Sequence, residues 1–171
     1  MNQSITILIW LLPIVFMIHD FEEIIFFKSW INKNRNYLYE NFPKITNKLL
    51  PRYDKLSTAG FALAVAEEFV LLSLITVFSI IFNNYFLWLA VFMGFSIHLI
   101  MHIALGIIIK RYIPSIATSF IVLVYCIYTL YILLSNNIFS IPEIVLWTII
   151  GLVLMGVNLL FAHKLGESLG K

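Results

Sequence analysis

Five long apolar stretches dominate this sequence and restrict its fold more than any other feature. They cover residues 5–27, 57–82, 85–109, 113–135 and 142–162. Each is long enough to cross a bilayer as a helix, which needs about 20 apolar residues. The 171 residues are 61% hydrophobic and 12% charged, whereas an ordinary soluble domain is roughly 45–50% apolar. The sequence therefore predicts an all-α fold, an integral membrane bundle of five transmembrane helices, forming one domain over residues 1–171.

The placement of lysine and arginine predicts how this bundle is oriented. Seven of the 11 basic residues fall within residues 28–56, and the rest follow the third and fifth stretches. The connections at the opposite end contain pairs of asparagine and no basic residue. Because basic residues collect on the cytoplasmic side, we expect the N-terminus outside and the C-terminus in the cytoplasm. The expected location is the cell membrane, crossed several times. No basic segment precedes the first stretch, so we expect a retained helix instead of a cleaved signal peptide.

Residues 28–56 are expected to form a basic and aromatic cytoplasmic loop. Their basic residues alternate with aromatic ones: Trp30, Tyr37, Tyr39, Phe42 and Tyr53. This pattern also occurs in nucleic-acid-binding surfaces. Between two membrane spans, however, positive-inside residues and an interfacial aromatic belt explain it, so we expect the lipid bilayer as a partner and no nucleic acid. A short interfacial helix over residues 44–50 can follow Pro43.

Acidic and imidazole side chains inside three of the apolar stretches are the candidate functional residues of this sequence. They are His19, Asp20, Glu22 and Glu23, then Glu67 and Glu68, then His98 and His102. No lysine or arginine lies among them. A charged group in hydrocarbon costs several kcal/mol unless it is paired, protonated or bound to a cation. A metal ion is therefore the leading candidate for the missing positive charge.

The spacing of these residues groups them on shared helix faces. His19 lies three and four positions before Glu22 and Glu23, and His98 lies four positions before His102; such pairs are neighbours on a helix. All of them, at about 1.5 Å per residue, fall in the half of the bundle near the basic residues. The expected metal ligands are His19, Glu22, Glu23, Glu67, Glu68, His98 and His102. Asp20 lies at the edge of this polar arc and is not included.

Further roles can be assigned around these ligands. Glu23 and Glu68 are candidate catalytic groups, because a carboxylate that does not bind the ion can act as general base toward a metal-bound water. Asn158, on the fifth stretch, is expected to support the ligands from outside. His163, just beyond that stretch, is expected to be either an interfacial histidine or a second supporting residue. The single cysteine, Cys126, excludes an intramolecular disulfide and a cysteine-rich metal site. Imidazole suits zinc and iron, and carboxylates favour harder ions, so a divalent metal, zinc or iron, is expected, with one or two ions bound.

Three motifs in this order resemble those of the HXXEE family, small multi-pass membrane proteins of unassigned activity. They are His19-Asp20-Phe21-Glu22-Glu23, then Glu67-Glu68 before Phe69, then His98-Leu99-Ile100-Met101-His102, followed by the tail around His163. The likeness covers nearly the whole chain. The family has Pro-Gly after the third stretch where this chain has Pro114-Ser115, a departure expected to affect a turn and not the polar cluster. The resemblance implies a membrane protein with a polar or metal centre, and it implies no reaction.

Three classes of function are compatible with these patterns. The first is a membrane metalloenzyme, a hydrolase or an iron-type oxidoreductase, acting on a lipid-like small molecule or another membrane-accessible substrate. The second is cation or proton translocation, which ranks lower because the outer halves of the stretches offer only groups such as Ser73, Thr76 and Ser79. The third is a non-catalytic accessory protein that binds a partner in the membrane. The oligomeric state remains open.

Overall fold

The computed structural model describes residues 3–168, and every regular element in that range is a helix. The helices are α1 (Gln3–Asn41), α2 (Pro43–Lys55), α3 (Thr58–Phe82), α4 (Phe86–Ile109), α5 (Ile116–Ser135) and α6 (Ile141–Ser168). All except α2 are long and apolar enough to cross a membrane. The predicted all-α fold with five long apolar helices is confirmed for this part of the chain.

The segment 28–56 differs from the loop that the sequence predicted, because nearly all of it is helical. Residues 28–41 contain neither proline nor glycine, so nothing local ends α1 until Phe42, which precedes a proline and is biased away from helical geometry. The extension is also held by tertiary contacts. The Arg111 guanidinium stacks 3.7 Å from the centroid of the Tyr37 ring, and the Tyr37 hydroxyl donates to the Ile109 carbonyl at 2.8 Å.

Helix α2 contains the predicted short helix 44–50 and continues beyond it on both sides. Pro43 occupies its first turn, where the missing N–H is harmless. At the other end, the Lys28 ammonium donates to the carbonyls of Tyr53 at 2.9 Å and Leu56 at 3.1 Å. A cation at a helix C-terminus offsets the negative end of the helix dipole. Helix α2 is thereby tied to the extended part of α1.

The five long helices form a closed ring in the order α1–α3–α6–α4–α5, and α5 returns to α1. Trp88, Phe92 and Leu99 of α4 are fully buried in the interior together with Leu12 of α1. Glycine allows the backbones of α4 and α6 to approach closely, because a Cβ on Gly94 would stand 3.2 Å from the facing backbone oxygen of α6. Small residues at helix contacts are common in membrane bundles.

The outer surface of the ring is apolar. Large aliphatic side chains point outward from several helices, among them Ile25 at 63% exposed, Val124 at 68% and Leu160 at 65%. A soluble monomer rarely exposes a continuous apolar surface of this kind. The surface is typical of a protein that contacts lipid on all sides.

Candidate metal centre

Four side chains from α1 and α4 converge inside the ring near the end of the bundle where the basic residues lie. His19 and Glu23 of α1 and His98 and His102 of α4 each offer one ligand atom, and these atoms lie within 4.8 Å of one another. Each pair is separated by four residues, so one helical turn brings both members to the same face. His19 is fully buried, and the other three are half-buried.

Two contacts within this group, His98–His102 and His102–Glu23, are at hydrogen-bond distance. His98 Nε2 lies 2.8 Å from His102 Nε2, and His102 Nε2 lies 3.0 Å from Glu23 Oε1. The His19 ring centroid is 5.2 Å from that of His102 and 5.6 Å from that of His98. Lone pairs on imidazole nitrogen and carboxylate oxygen repel at these distances unless a proton or a metal ion lies between them.

The first turn of α5 orients His19. Thr118 Oγ1 donates to Glu22 Oε2 at 2.6 Å and lies 3.2 Å from His19 Nδ1. Since a hydroxyl has one hydrogen, Thr118 can only accept from His19, and we assign the ring proton to Nδ1. His19 Nε2 is therefore the atom with a free lone pair. It is buried and finds no hydrogen-bond partner among residues 3–168.

Ser115 orients the second imidazole from the same stretch of chain. Its Oγ lies 2.8 Å from His102 Nδ1, and its backbone has φ 82°, in the left-handed region that favours glycine. The expectation that the Pro114-Ser115 departure would not touch the polar cluster was therefore wrong, because the turn packs its side chain directly against His102. A hydrogen bond at the outer nitrogen of a ligand histidine fixes the ring and its tautomer.

The two glutamates of α3 point to different neighbours. Glu67 accepts from the Asn158 amide of α6 at 3.2 Å. Glu68 lies on the side of α1, where its carboxylate interacts electrostatically with Glu23 and with Asp20. Because consecutive residues are about 100° apart on a helix, the two side chains leave α3 in different directions. Within the described range, neither is part of the 4.8 Å group.

Comparison with known families identifies the chain. The family described as "Protein of unknown function with HXXEE motif" matches residues 10–129. The chain belongs to the HXXEE family. The comparisons with curated proteins and with solved structures found no match. The matched region contains all seven predicted ligands and the first turn of α5, whereas Asn158 and His163 lie beyond it.

The two glutamates of the HXXEE motif have separate environments. Glu23 faces His102, as described above. Glu22 faces α5, where the Thr118 N–H donates to Glu22 Oε2 at 2.9 Å and the Tyr112 hydroxyl donates to Glu22 Oε1. A carboxylate at this position satisfies free N–H groups and the positive end of the helix dipole. Desolvation and the hydrogen bond to Glu22 raise the pKa of the Tyr112 phenol to about 12, so it stays a donor at neutral pH.

The predicted supporting residues are only partly near the centre. Asn158 contacts Glu67, whereas His163 lies half-buried further along α6 and is not in the ligand group that residues 3–168 form. Tyr112, Ser115 and Thr118 were missed. Tyr112 lies outside the apolar stretches, and Ser115 and Thr118 lie inside the fourth but carry hydroxyls, whereas the prediction considered acidic, imidazole and amide side chains. A signal was present: a serine just before an apolar run, as Ser115 stands before Ile116, is typical of a helix start.

Proposed function

We propose that this HXXEE protein is a multi-pass membrane protein that binds a divalent transition metal through His19, Glu23, His98 and His102. The observation that carries the proposal is the buried His19 Nε2, which lacks a hydrogen-bond partner in the described range. His19 is one of four residues that offer ligand atoms within 4.8 Å of one another. A buried polar atom without a partner costs about 1–3 kcal/mol. A metal ion bound among the four residues removes this cost and screens the repulsion between them.

The membrane part of the proposal is supported by five helices of sufficient length and apolarity and by the apolar outer surface. Lysine and arginine lie at one end of the bundle, in the extension of α1, in α2, after α4 and near the end of α6. The positive-inside rule places that end in the cytoplasm and the N-terminus outside, across the cell membrane. The metal then lies in the cytoplasmic half of the bilayer.

The ligand set favours one class of chemistry. Three imidazoles and one carboxylate complete the tetrahedral shell of zinc, which suits a structural site. Iron accepts more ligands, and its sites in oxygenases combine histidine and carboxylate with open positions. We therefore place an iron-type oxidoreductase ahead of a zinc hydrolase. Glu68 is a candidate proton acceptor, because it interacts with Glu23 and lies outside the described ligand group.

A lipid-like substrate is supported by the surface beside Glu67. A shallow groove of about 450 Å³ runs along α3 and is lined by Leu63, Val70 and Leu74 together with Glu67. Its walls are apolar apart from the Glu67 carboxylate, and the residues face outward from the bundle. An acyl chain fits such a groove, and a polar head group fits beside the Glu67 carboxylate.

Metal analysis of the purified protein in lipid nanodiscs tests the proposal. Wild type should retain iron or zinc, and it should bind Co²⁺ with the visible absorption of imidazole and carboxylate ligation. The same spectrum separates four-coordinate from six-coordinate geometry, since the former absorbs far more strongly. His98→Ala should lose the signal. Wild type that binds no metal after loading would reject the proposal.

The HXXEE motif offers a matched pair of variants. Glu23→Gln should lose the cobalt signal, because Glu23 is in the ligand group. Glu22→Gln should keep it, because an amide oxygen can still accept from Thr118. Equal loss in both variants would contradict the division of roles proposed for the two glutamates.

A further inference from the structure

The turn after α4 carries an arginine, Arg111, whose positive charge has no carboxylate partner among the side chains that the structure describes. We infer that Arg111, flanked by Lys33 and Lys110, binds the phosphate of an anionic glycerophospholipid in the cytoplasmic leaflet. The inference rests on the membrane part of the proposed function. It does not depend on the metal, so the metal centre and this lipid site can each fail while the other stands.

The partners of the Arg111 guanidinium are neutral groups. Its Nη1 atom donates to Asn34 Oδ1 at 2.9 Å, and its central carbon lies 3.7 Å from the centroid of the Tyr37 ring. By contrast, Arg35 forms an ion pair with Asp54. Because arginine is charged throughout the physiological pH range, the contacts of Arg111 leave one positive charge uncompensated in the described part of the chain.

An acidic side chain, Glu22, reaches the same turn but is bonded to other donors. One of its oxygens accepts from the Tyr112 hydroxyl, and the other accepts from the N–H and the hydroxyl of Thr118. Glu22 therefore caps α5 and leaves the charge of Arg111 free to attract an anion from outside the chain.

One face of the α1 extension holds this turn in place. Trp30, Asn34 and Tyr37 are spaced four and three residues apart, so they share a face of the helix. The Trp30 ring nitrogen and the Tyr37 hydroxyl donate to main-chain carbonyls within residues 109–112. Asn34 bonds to the Arg111 side chain itself. A side chain that is already oriented loses less conformational freedom on binding, so the arginine is prepared for a ligand.

The Arg111 guanidinium keeps donors available for that ligand. A guanidinium has five N–H groups in a planar fork, and the bond to Asn34 uses one of them. The side chain is exposed, so a ligand can reach the others from outside. Two parallel N–H groups match two oxygens of a phosphate, which makes arginine well suited to phosphate recognition.

The outer surface changes from apolar to basic at this turn. Ile108, close to the end of α4, is 61% exposed, whereas Lys110 and Arg111 follow it and are exposed as well. On α1, the exposed Lys33 lies one helical turn before Tyr37. The boundary between an apolar band and a basic band is the level at which lipid head groups lie. The patch is therefore at the right depth for a lipid phosphate.

The charges of the patch select the kind of lipid. Lys33, Lys110 and Arg111 repel the ammonium group of a zwitterionic lipid and attract a lipid of negative net charge. The expected ligand is a phospholipid with a phosphate and no ammonium group, such as phosphatidylglycerol. A free phosphate ion offers the same anion but lacks the acyl chains that contact the apolar surface beside the patch.

Native mass spectrometry of the full chain in a non-ionic detergent tests the inference. The probes are phosphatidylglycerol and phosphatidylcholine with the same acyl chains. Wild type should bind one phosphatidylglycerol more tightly than phosphatidylcholine. In Arg111→Gln the preference should fall by about fivefold or more, since one basic residue near an anionic leaflet contributes about 1 kcal/mol. Arg111→Lys keeps the charge without the planar fork, so its preference should fall less.

Arg35→Gln is the matched control. It removes the same charge from the same end of the bundle, at an arginine that already has Asp54 as its partner, and it should keep the preference of wild type. Tyr37→Leu leaves the charge of Arg111 in place and removes the ring that orients it, so the preference should fall. Size-exclusion profiles like that of wild type establish that the variants are folded.

Several results would overturn the inference. Equal loss in Arg111→Gln and Arg35→Gln would mean that net charge alone attracts the lipid. Displacement of the lipid by an equal concentration of inorganic phosphate would make a free anion the ligand. Wild type that floats with lipid vesicles but shows no preference would overturn the lipid site and leave the membrane part of the proposed function. Wild type that does not float with vesicles would overturn both.

Discussion

Replacing Thr118 with valine tests whether the first turn of α5 orients the metal ligands. The change preserves the shape of the side chain and removes only Oγ1. That oxygen donates to Glu22 at 2.6 Å and accepts from His19 Nδ1 at 3.2 Å. The Thr118 N–H still donates to Glu22 at 2.9 Å, so the cap of α5 is weakened but not lost.

The magnitude follows from the two bonds that disappear. Losing the outer hydrogen bond of a ligand histidine typically lowers metal affinity by about 10- to 100-fold, which corresponds to about 1.4–2.8 kcal/mol in binding free energy. A hydrogen bond to a charged group contributes about 1.5–3 kcal/mol to stability. Because the backbone bond to Glu22 remains, we expect the free energy of unfolding to decrease by about 1.5 kcal/mol, the lower end of this range.

Chelator competition in nanodiscs measures the affinity, with Co²⁺ as the probe. Thr76→Val is the control: Thr76 is fully buried in α3, and its hydroxyl donates to the Leu72 carbonyl of its own helix at 2.9 Å. This variant should bind cobalt as tightly as wild type. If Thr118→Val also binds as tightly as wild type, the hydroxyl does not orient His19 and the reasoning is refuted.

Two further perturbations test the packing and the basic end of the bundle. Gly151→Ala should destabilise the bundle by about 1–3 kcal/mol, because the new Cβ would stand 2.7 Å from the carbonyl carbon of Ala90. Gly156→Ala, on the same helix with open space around it, should leave the denaturation midpoint unchanged or raise it; equal loss in both variants would contradict the close approach of α4 and α6. Arg35 holds the pKa of Asp54 below its usual range, so their ion pair stabilises the docked α2 at a pH above about 4 and is lost as the pH falls further. In wild type, the protection of α2 amides from hydrogen exchange, corrected for intrinsic rates, should decrease once the pH is below about 4. In Asp54→Asn the protection should be low at every pH. Protection in wild type that does not change with pH would contradict a stabilising role of the ion pair.

The sequence was sufficient to predict the long helices, because an apolar stretch of bilayer length has few other structures available. It was not sufficient for residues 28–56. Their charged and aromatic composition matches a cytoplasmic loop, and what makes residues 28–41 helical is the absence of a breaker together with contacts such as Arg111 on Tyr37. Those contacts join residues that are far apart in the chain.

The candidate ligands could be predicted because polar residues in apolar stretches are few. Their separate roles could not, since Glu22 and Glu23 share a face with His19 and differ only in which neighbour each one meets. That neighbour is the start of α5 for Glu22 and His102 for Glu23.

The outer nitrogens of His19 and His102 are both held by hydroxyls from one short turn, residues 115–118. The two rings come from different helices, yet a displacement of this turn would release both of them at once. The turn lies at the basic end of the bundle, next to the connection between α4 and α5. A displacement of residues 115–118 would therefore weaken binding at the proposed metal site without any contact with the ion itself.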